Sequence, residues 1–197
     1  MRAKKVSIFI GLLVCLFFLP CSLLRAQSYR EEAAISSVYI YQQMINQLDE
    51  GNLNKVLQLS HNLDEIISKM DMRFGASLQS DIQNAVNAAD KEKARKAVIA
   101  LIFYDIKDVF YATEEGISEQ LALDILKERL KIAYLDYLVV SSQAKKLDFE
   151  RDRQIRKAFS DLLTGHLAKA VLQSDMSMLK KGMANIDENY KEIFGIL

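Results

Sequence analysis

Cysteine and proline are almost missing from this chain of 197 residues, which has two of the first and one of the second. Cys15, Cys21 and Pro20 all fall within the first 26 positions, and neither residue type occurs after them. That excludes a disulfide, a thiolate metal site, a cysteine nucleophile and covalent haem attachment from residues 27–197. It also leaves no helix there to be kinked or ended by a proline ring. Histidine is scarce, with only His61 and His166. Every glycine after residue 26 stands alone, so no phosphate-cradling glycine loop can be read, and no G-x-S-x-G elbow occurs.

The first 26 residues have a layout of their own. Arg2, Lys4 and Lys5 make a positive start, and Val6 to Leu19 is apolar apart from Ser7 and Gly11. Pro20 then breaks the run, and Leu24-Arg25-Ala26 offers a small residue for cleavage. These are the three zones of a secretory signal peptide. An uncleaved anchor is the alternative, but a 14-residue run is short beside the roughly 20 residues that span a bilayer. Pro20 stands where a lipoprotein signal needs a small flexible residue, which argues against lipidation of Cys21. The expectation is an exported protein, periplasmic or extracellular, without stable membrane insertion once residues 1–26 are removed.

Removal takes four basic residues and no acid, leaving 22 Lys and Arg against 26 Asp and Glu. A mildly acidic product has no electrostatic pull on nucleic acid or an anionic membrane. Lys91, Lys93, Arg95 and Lys96 form a short basic cluster, but Asp90 and Glu92 interrupt it, as in an ordinary solvated face. Residues 27–197 are enough chain for one domain with a core that needs no disulfide staples.

The hydrophobic spacing in this domain is helical throughout, and no stretch alternates long enough for a strand. Ser28 and Glu31 form a capping box before a helix from about Tyr29 to Glu50, which Gly51 ends. Asn52 opens a second helix, to about Phe74, and Gly75 ends that. A third runs from Ser77 to about Ala88. Asp90 caps a fourth, Lys91 to about Thr113, ended by Gly116, with Ala94, Ala97, Val98, Leu101, Ile102 and Ile106 on its buried side. Ser118 caps a fifth, to about Lys146, whose second half is the most apolar in the domain. Asp148 caps a sixth, reaching about Gln173 with a break at Thr164-Gly165. Ser174 caps a last helix ending near Phe194. The expected fold is all-α, an antiparallel bundle or a short array of helical hairpins with six to seven helices.

Three junctions look alike: Leu48 to Asn52, Ala88 to Asp90, and Leu172 to Asp175. Each passes from an apolar or small residue through a polar turn to a new amphipathic start. That fits a decayed hairpin repeat, although short links between antiparallel helices have the same look. The aromatic and small-residue pattern of tetratricopeptide repeats is absent.

One stretch carries candidate chemistry. Tyr104, Asp108, Tyr111 and Glu115 recur at helical spacing, with Asp105 one turn below Asp108. The next helix adds Asp124, Glu128, Tyr134, Asp136 and Tyr137. Carboxylates and tyrosines on facing helices can line a cleft for a cation or polar ligand, and hard divalent ions prefer such oxygens. The competing reading makes the tyrosines core-edge residues and leaves the acids in solvent. His61 and Glu65, four apart on one helix, would offer two ligands to a metal, and an isolated pair of this kind also stabilises a helix surface. His166 reads as a cap or surface residue. The expected function is therefore an exported helical module that binds a protein or peptide partner and has no catalytic activity. The alternative is a metal- or cofactor-binding bundle using the carboxylate and tyrosine cleft.

Overall fold

The computed structural model describes residues 37–196. By its contacts the chain divides into residues 1–37, of which only Ser37 is described, and a body from Val38 onward. The expected signal segment and the Ser28–Glu31 capping box lie outside the described residues.

The body is all-helical, with no strand among the described residues. A helical stretch at residues 37–50 (α1) precedes eight helices described at both ends. These are α2 (Leu53–His61), α3 (Asp64–Phe74), α4 (Leu78–Asn87), α5 (Lys91–Ser118), α6 (Leu123–Leu147), α7 (Phe149–Asp161), α8 (Leu167–Gln173) and α9 (Ser177–Phe194), with a π-helical turn at Leu162–His166 between α7 and α8. That exceeds the six to seven expected, because two expected helices are each broken. The helix read as Asn52 to Phe74 divides at Asn62-Leu63. The sixth divides at the π turn, over the Thr164-Gly165 break.

The two longest helices, α5 and α6, form the centre. α5 packs on α6 and also meets α3, α4 and α9, while α6 meets α7, α8 and α9. Their pairing is antiparallel. Arg129 Nη1 donates to the Ala112 carbonyl at 2.7 Å, and Gly116 lies against Leu126, so positions rise on one helix as they fall on the other. All six residues expected on the buried side of the Lys91 helix are buried. Burying a single side chain such as Leu101 or Ile102 contributes about 1.5–3 kcal/mol, which fixes how α5 faces the core. In the apolar half of α6, Ala133, Val139 and Val140 are buried as well.

Helix ends explain the look-alike junctions. At Gly51 and Ala89 the backbone turns left-handed (φ 78° and 50°). The next amide reaches back to the carbonyl five residues earlier: Asn52 to Gln47 at 2.8 Å, and Asp90 to Ala85 at 3.0 Å. The same closure appears at Gln120 (φ 58°), where Leu121 N–H donates to the Gly116 carbonyl at 2.9 Å. This is the Schellman helix stop. It recurs at a junction that has no sequence likeness to the other two, so local helix-end chemistry accounts for the similarity.

Several expected stops and caps move. Gly116 does not end a helix but sits buried inside α5, which runs on to Ser118. Ser118 is therefore the last residue of α5 and not the cap of α6, which starts after Ala122. Ser174 is the left-handed residue that closes α8 (φ 54°), and Asp175 instead accepts from the Ser177 amide at 3.0 Å. Asn52 makes no side-chain cap, and its amide donates to Gln47 Oε1 at 2.9 Å. The aspartate caps do form: Asp90 accepts from Lys93 N–H, and Asp148 from Arg151 N–H, each at 3.0 Å.

Candidate functional site

The structure distributes the expected carboxylate and tyrosine stripe over three environments. Asp108 faces α3, where the Lys69 ammonium donates to it at 2.6 Å and the Arg73 guanidinium forms a second ion pair. Arg73 also lies 4.2 Å above the Tyr111 ring, which is otherwise half exposed. Tyr104 packs its ring against Phe74 and Phe103. Glu115 is exposed. Asp105 turns inward and accepts a hydrogen bond from the Tyr41 hydroxyl of α1 at 2.7 Å. On α6, Asp124 and Glu128 are exposed, with Glu128 paired to Lys131, while Tyr134 packs on Phe159. The stripe thus gives one cation-clasped acid, one inward acid and an outer acid, and not a shared cleft.

Asp136 and Tyr137 occupy the core. Both are fully buried. The Tyr137 hydroxyl donates to Asp152 Oδ1 at 2.5 Å, and Arg156 Nε completes that carboxylate from α7 at 3.0 Å. Asp136 has no such arrangement: neither of its oxygens meets a hydrogen-bonding group of the described residues. Desolvation by burial pushes its pKa well up, and the charge of Asp105 adds to the rise. Desolvation also raises Asp105, to about 6, with Asp108 adding to it and Tyr41 and Lys69 drawing it back. Tyr190, buried on α9, donates to the Ile99 carbonyl at 3.1 Å and lines the same region. An acid in the otherwise apolar stretch Tyr134 to Val140 was the sequence signal for this buried group.

Each histidine lies beside a break in a helix. His61 ends α2 and Glu65 lies in the first turn of α3, so the break at Asn62-Leu63 takes them off a common helical face. His61 Nδ1 instead lies 3.5 Å from Asp64, and both side chains are more than half exposed. Among the described residues no cluster of three or more His, Cys, Asp or Glu side chains is placed to hold a metal ion. His61, Asp64, Asp71 and Gln79 line a wide groove of about 600 Å³ beside α3. Asp71 is already occupied there, accepting from the Leu78 amide at 2.8 Å.

His166 closes the π turn and caps nothing with its side chain. It lines a cleft of about 240 Å³ between α7 and α9. Ala158, Gly182 and the partly exposed Met178 form the apolar lining; Gln154, Lys157, Asp161, His166, Lys181 and Asn185 supply the polar groups. The pairing of α7 with α9 is antiparallel, as Arg151 near one end reaches Glu192. Gly182 lets α9 approach the π turn closely: a Cβ there would lie 2.7 Å from Leu162 Cδ2 and 3.6 Å from His166 Nδ1. π turns are rare and frequently mark functional positions, since the extra residue re-aims the side chains around it. Lys157 is neutralised by Asp161 at 2.6 Å, which leaves Lys181 to set the positive sign of the cleft.

Among the described residues no helix is long and apolar enough to cross a membrane. No family model matches this chain, and no characterised protein or solved structure shows detectable similarity to it.

Proposed function

We propose that this chain is an exported, non-catalytic helical binding module, and that the α7/α9 cleft receives an acidic side chain of a peptide or protein partner. The observation that carries this reading is the cleft itself. It combines a concave volume of about 240 Å³, a floor of small and flexible apolar groups, and a rim whose charge balance is positive. Sites of this kind bind through apolar contact and use a few polar groups for orientation. Lys181 supplies the charge for a carboxylate, while Gln154 and Asn185 offer neutral donors and acceptors on either side. Met178 adapts its shape to the methylenes of the bound residue. A binder also suits the engagement of the other titratable groups: Asp108 is held by two cations, Asp152 by Tyr137 and Arg156, and Asp105 by Tyr41. Export rests on the three-zone pattern of residues 1–26, and the bundle supplies the rigid helices that keep the cleft open.

The test is a titration of the purified protein with a short blocked acidic peptide, acetyl-Leu-Glu-Glu-amide, followed residue by residue by NMR. Shifts confined to 154–161, His166 and 178–185, weakened by added salt and lost in Lys181→Glu, are the expected result. Shifts spread evenly over the surface, or unchanged by Lys181→Glu, would refute the assignment.

A further inference from the structure

The cleft makes no use of the most unusual group in the molecule. Asp136 is fully buried, and neither of its oxygens is hydrogen-bonded among the described residues. A charged carboxylate in that position is cut off from bulk solvent and has no ion-pair partner among the described residues, and such a group neutralises itself by holding a proton. The antiparallel register that sets Ala112 against Arg129 and Gly116 against Leu126 brings a second acid level with it. Asp105 acts on it from α5 through its charge, and Asp105 in turn accepts a hydrogen bond from the hydroxyl of Tyr41, which is itself fully buried on α1.

We propose that Asp105 and Asp136 form a proton-binding site, and that loss of its proton loosens the docking of α1 on α5. The ligand is one proton, held on Asp136, where a negative charge added to that of Asp105 would sit in a packed interior. The step is simple ionisation: an O–H bond of the pair breaks, the electron pair stays on the carboxylate, and the proton goes to water.

The surroundings determine which charge can be relieved. From α1 comes Tyr41, from α3 Lys69, from α5 Asp105 and Asp108, and from α9 Tyr190. Lys69 is the cation in this set that reaches Asp105, and Asp108 already engages it at 2.6 Å. Tyr41 and Tyr190 cannot neutralise a second negative charge, because ionising either would add a third. The pair therefore favours the singly protonated state, with Asp136 carrying the proton and Asp105 accepting from Tyr41. When the second proton leaves, water must reach the pair. Asp105 is the only partly exposed member, and Tyr41 covers it. α1 is seated through its buried Tyr41, Met44 and Leu48, and it carries polar ties near both ends. Tyr41 ties it to Asp105, and Asp49 ties it to Arg95 at 2.7 Å and, through its carbonyl, to Lys91 at 3.1 Å. Only the first tie depends on the proton, so hydration of the pair frees the Tyr41 end of α1.

The experiment compares the full chain with Asp136→Asn in urea unfolding across roughly pH 4.5 to 8, with amide hydrogen exchange read at pH 5 and pH 8 after correction for intrinsic rates. A proton retained only in the folded state lowers the folding constant by up to about tenfold for each pH unit. The wild-type midpoint should fall as pH rises through this range, and Asp136→Asn should remove most of that fall. Protection in residues 38–50 should drop at pH 8 by a larger factor than protection in α9. A midpoint that ignores pH, a variant that keeps the wild-type slope, or equal loss of protection in α1 and α9 would each overturn the proposal. If Asp136→Asn does not fold, carboxyl ¹³C titration of the wild-type chain decides. An aspartate still protonated near pH 6 upholds the site, and complete ionisation of every aspartate by about pH 5 removes it.

Discussion

Two glycines inside helical segments should respond in opposite directions to the same added methyl group. At Gly116 a Cβ would lie 2.8 Å from Arg129 Nη1, 2.8 Å from Leu126 Cδ2 and 2.9 Å from Leu121 Cδ1. Ordinary contacts lie at about 3.5–4.0 Å, so each neighbour must retreat by more than half an ångström. All three are ends of side chains, and such ends can often yield. Here they have little freedom. Arg129 Nη1 is held by the Ala112 carbonyl at 2.7 Å, and Leu126 is fully buried. Overpacking of this kind costs about 1–3 kcal/mol, against a helix-propensity gain of about 1 kcal/mol for alanine over glycine. Gly116→Ala should therefore lose up to about 2 kcal/mol, equivalent to several degrees in Tm for a domain of this size. At Gly165, in the π turn, a Cβ meets nothing within 4 Å. Gly165→Ala should gain up to about 1 kcal/mol by reducing the entropy of the unfolded chain. Thermal and urea unfolding of both variants measures the contrast. If Gly116→Ala stabilises the protein as Gly165→Ala does, the close approach of α5 to α6 at this point is wrongly described.

Three further outcomes follow from named contacts. Ala89 holds a left-handed backbone that costs an L-residue about 1–2 kcal/mol, so Ala89→Gly should raise Tm by a few degrees even after the entropic cost of glycine, and a fall would contradict the Schellman closure there. Tyr137→Phe removes a hydroxyl donated to a buried carboxylate and should lower stability by about 1.5–3 kcal/mol in urea, with Asp152→Asn giving a comparable loss and the double variant less than the sum. Lys181→Glu should leave the unfolding free energy within about 0.5 kcal/mol of wild type, as an exposed charge does, while abolishing the response to an acidic peptide; a large loss of stability would mean that Lys181 belongs to the fold and not to the cleft.

The helical class and most helix starts and stops were legible because they depend on neighbours in the chain. Asp90 and Asp148 cap their helices through amides three residues away, and Gly51 and Gly75 turn left-handed where a side chain is disfavoured. Where a residue's role depends on a distant part of the chain, the pattern misled. Gly116 looked like a stop, yet it is where α6 crosses closely, which only the packing of Leu126 and Arg129 reveals. The Asn62-Leu63 break has no proline or glycine to announce it, and so His61 and Glu65 seemed to share a face. The spacing of Asp105 and Asp108 was read correctly as one helix, but three residues turn the side chain far enough to bury one acid and leave the other clasped by Lys69 and Arg73. The α7/α9 cleft was hidden because its walls come from helices that are not consecutive in the chain and its shape depends on a π turn.

The same acids predict an unusual pH optimum for stability, because two sets pull in opposite directions. Asp90, Asp148 and Asp175 have carboxyl pKa values below the ordinary 3.8: Asp90 and Asp148 chiefly because a backbone amide donates to each, and Asp175 because the Ser177 hydroxyl and amide do. A depressed folded-state pKa gives stability that is present above 3.8 and is lost as pH falls through the lower folded values. Asp105 and Asp136 are shifted the other way by burial. A raised folded-state pKa gives stability that is complete below 3.8 and declines as pH climbs toward the folded value. For Asp105 that window runs from 3.8 to about 6, equivalent to about 3 kcal/mol at most, and Asp136 extends the decline beyond it. The two trends cross near the ordinary aspartate value, so the stability maximum should lie at roughly pH 4–5 and not at neutrality. Urea midpoints taken at half-unit steps from about pH 2.5 to 8 locate it. Removing one helix cap with Asp148→Ala should flatten the acid limb alone, and Asp136→Asn the alkaline limb alone. A maximum at pH 7 or above in the wild type would mean that the buried pair is solvated or paired in solution. The charge of Asp136 would then have to be matched by a group that packs against α6 in the living protein.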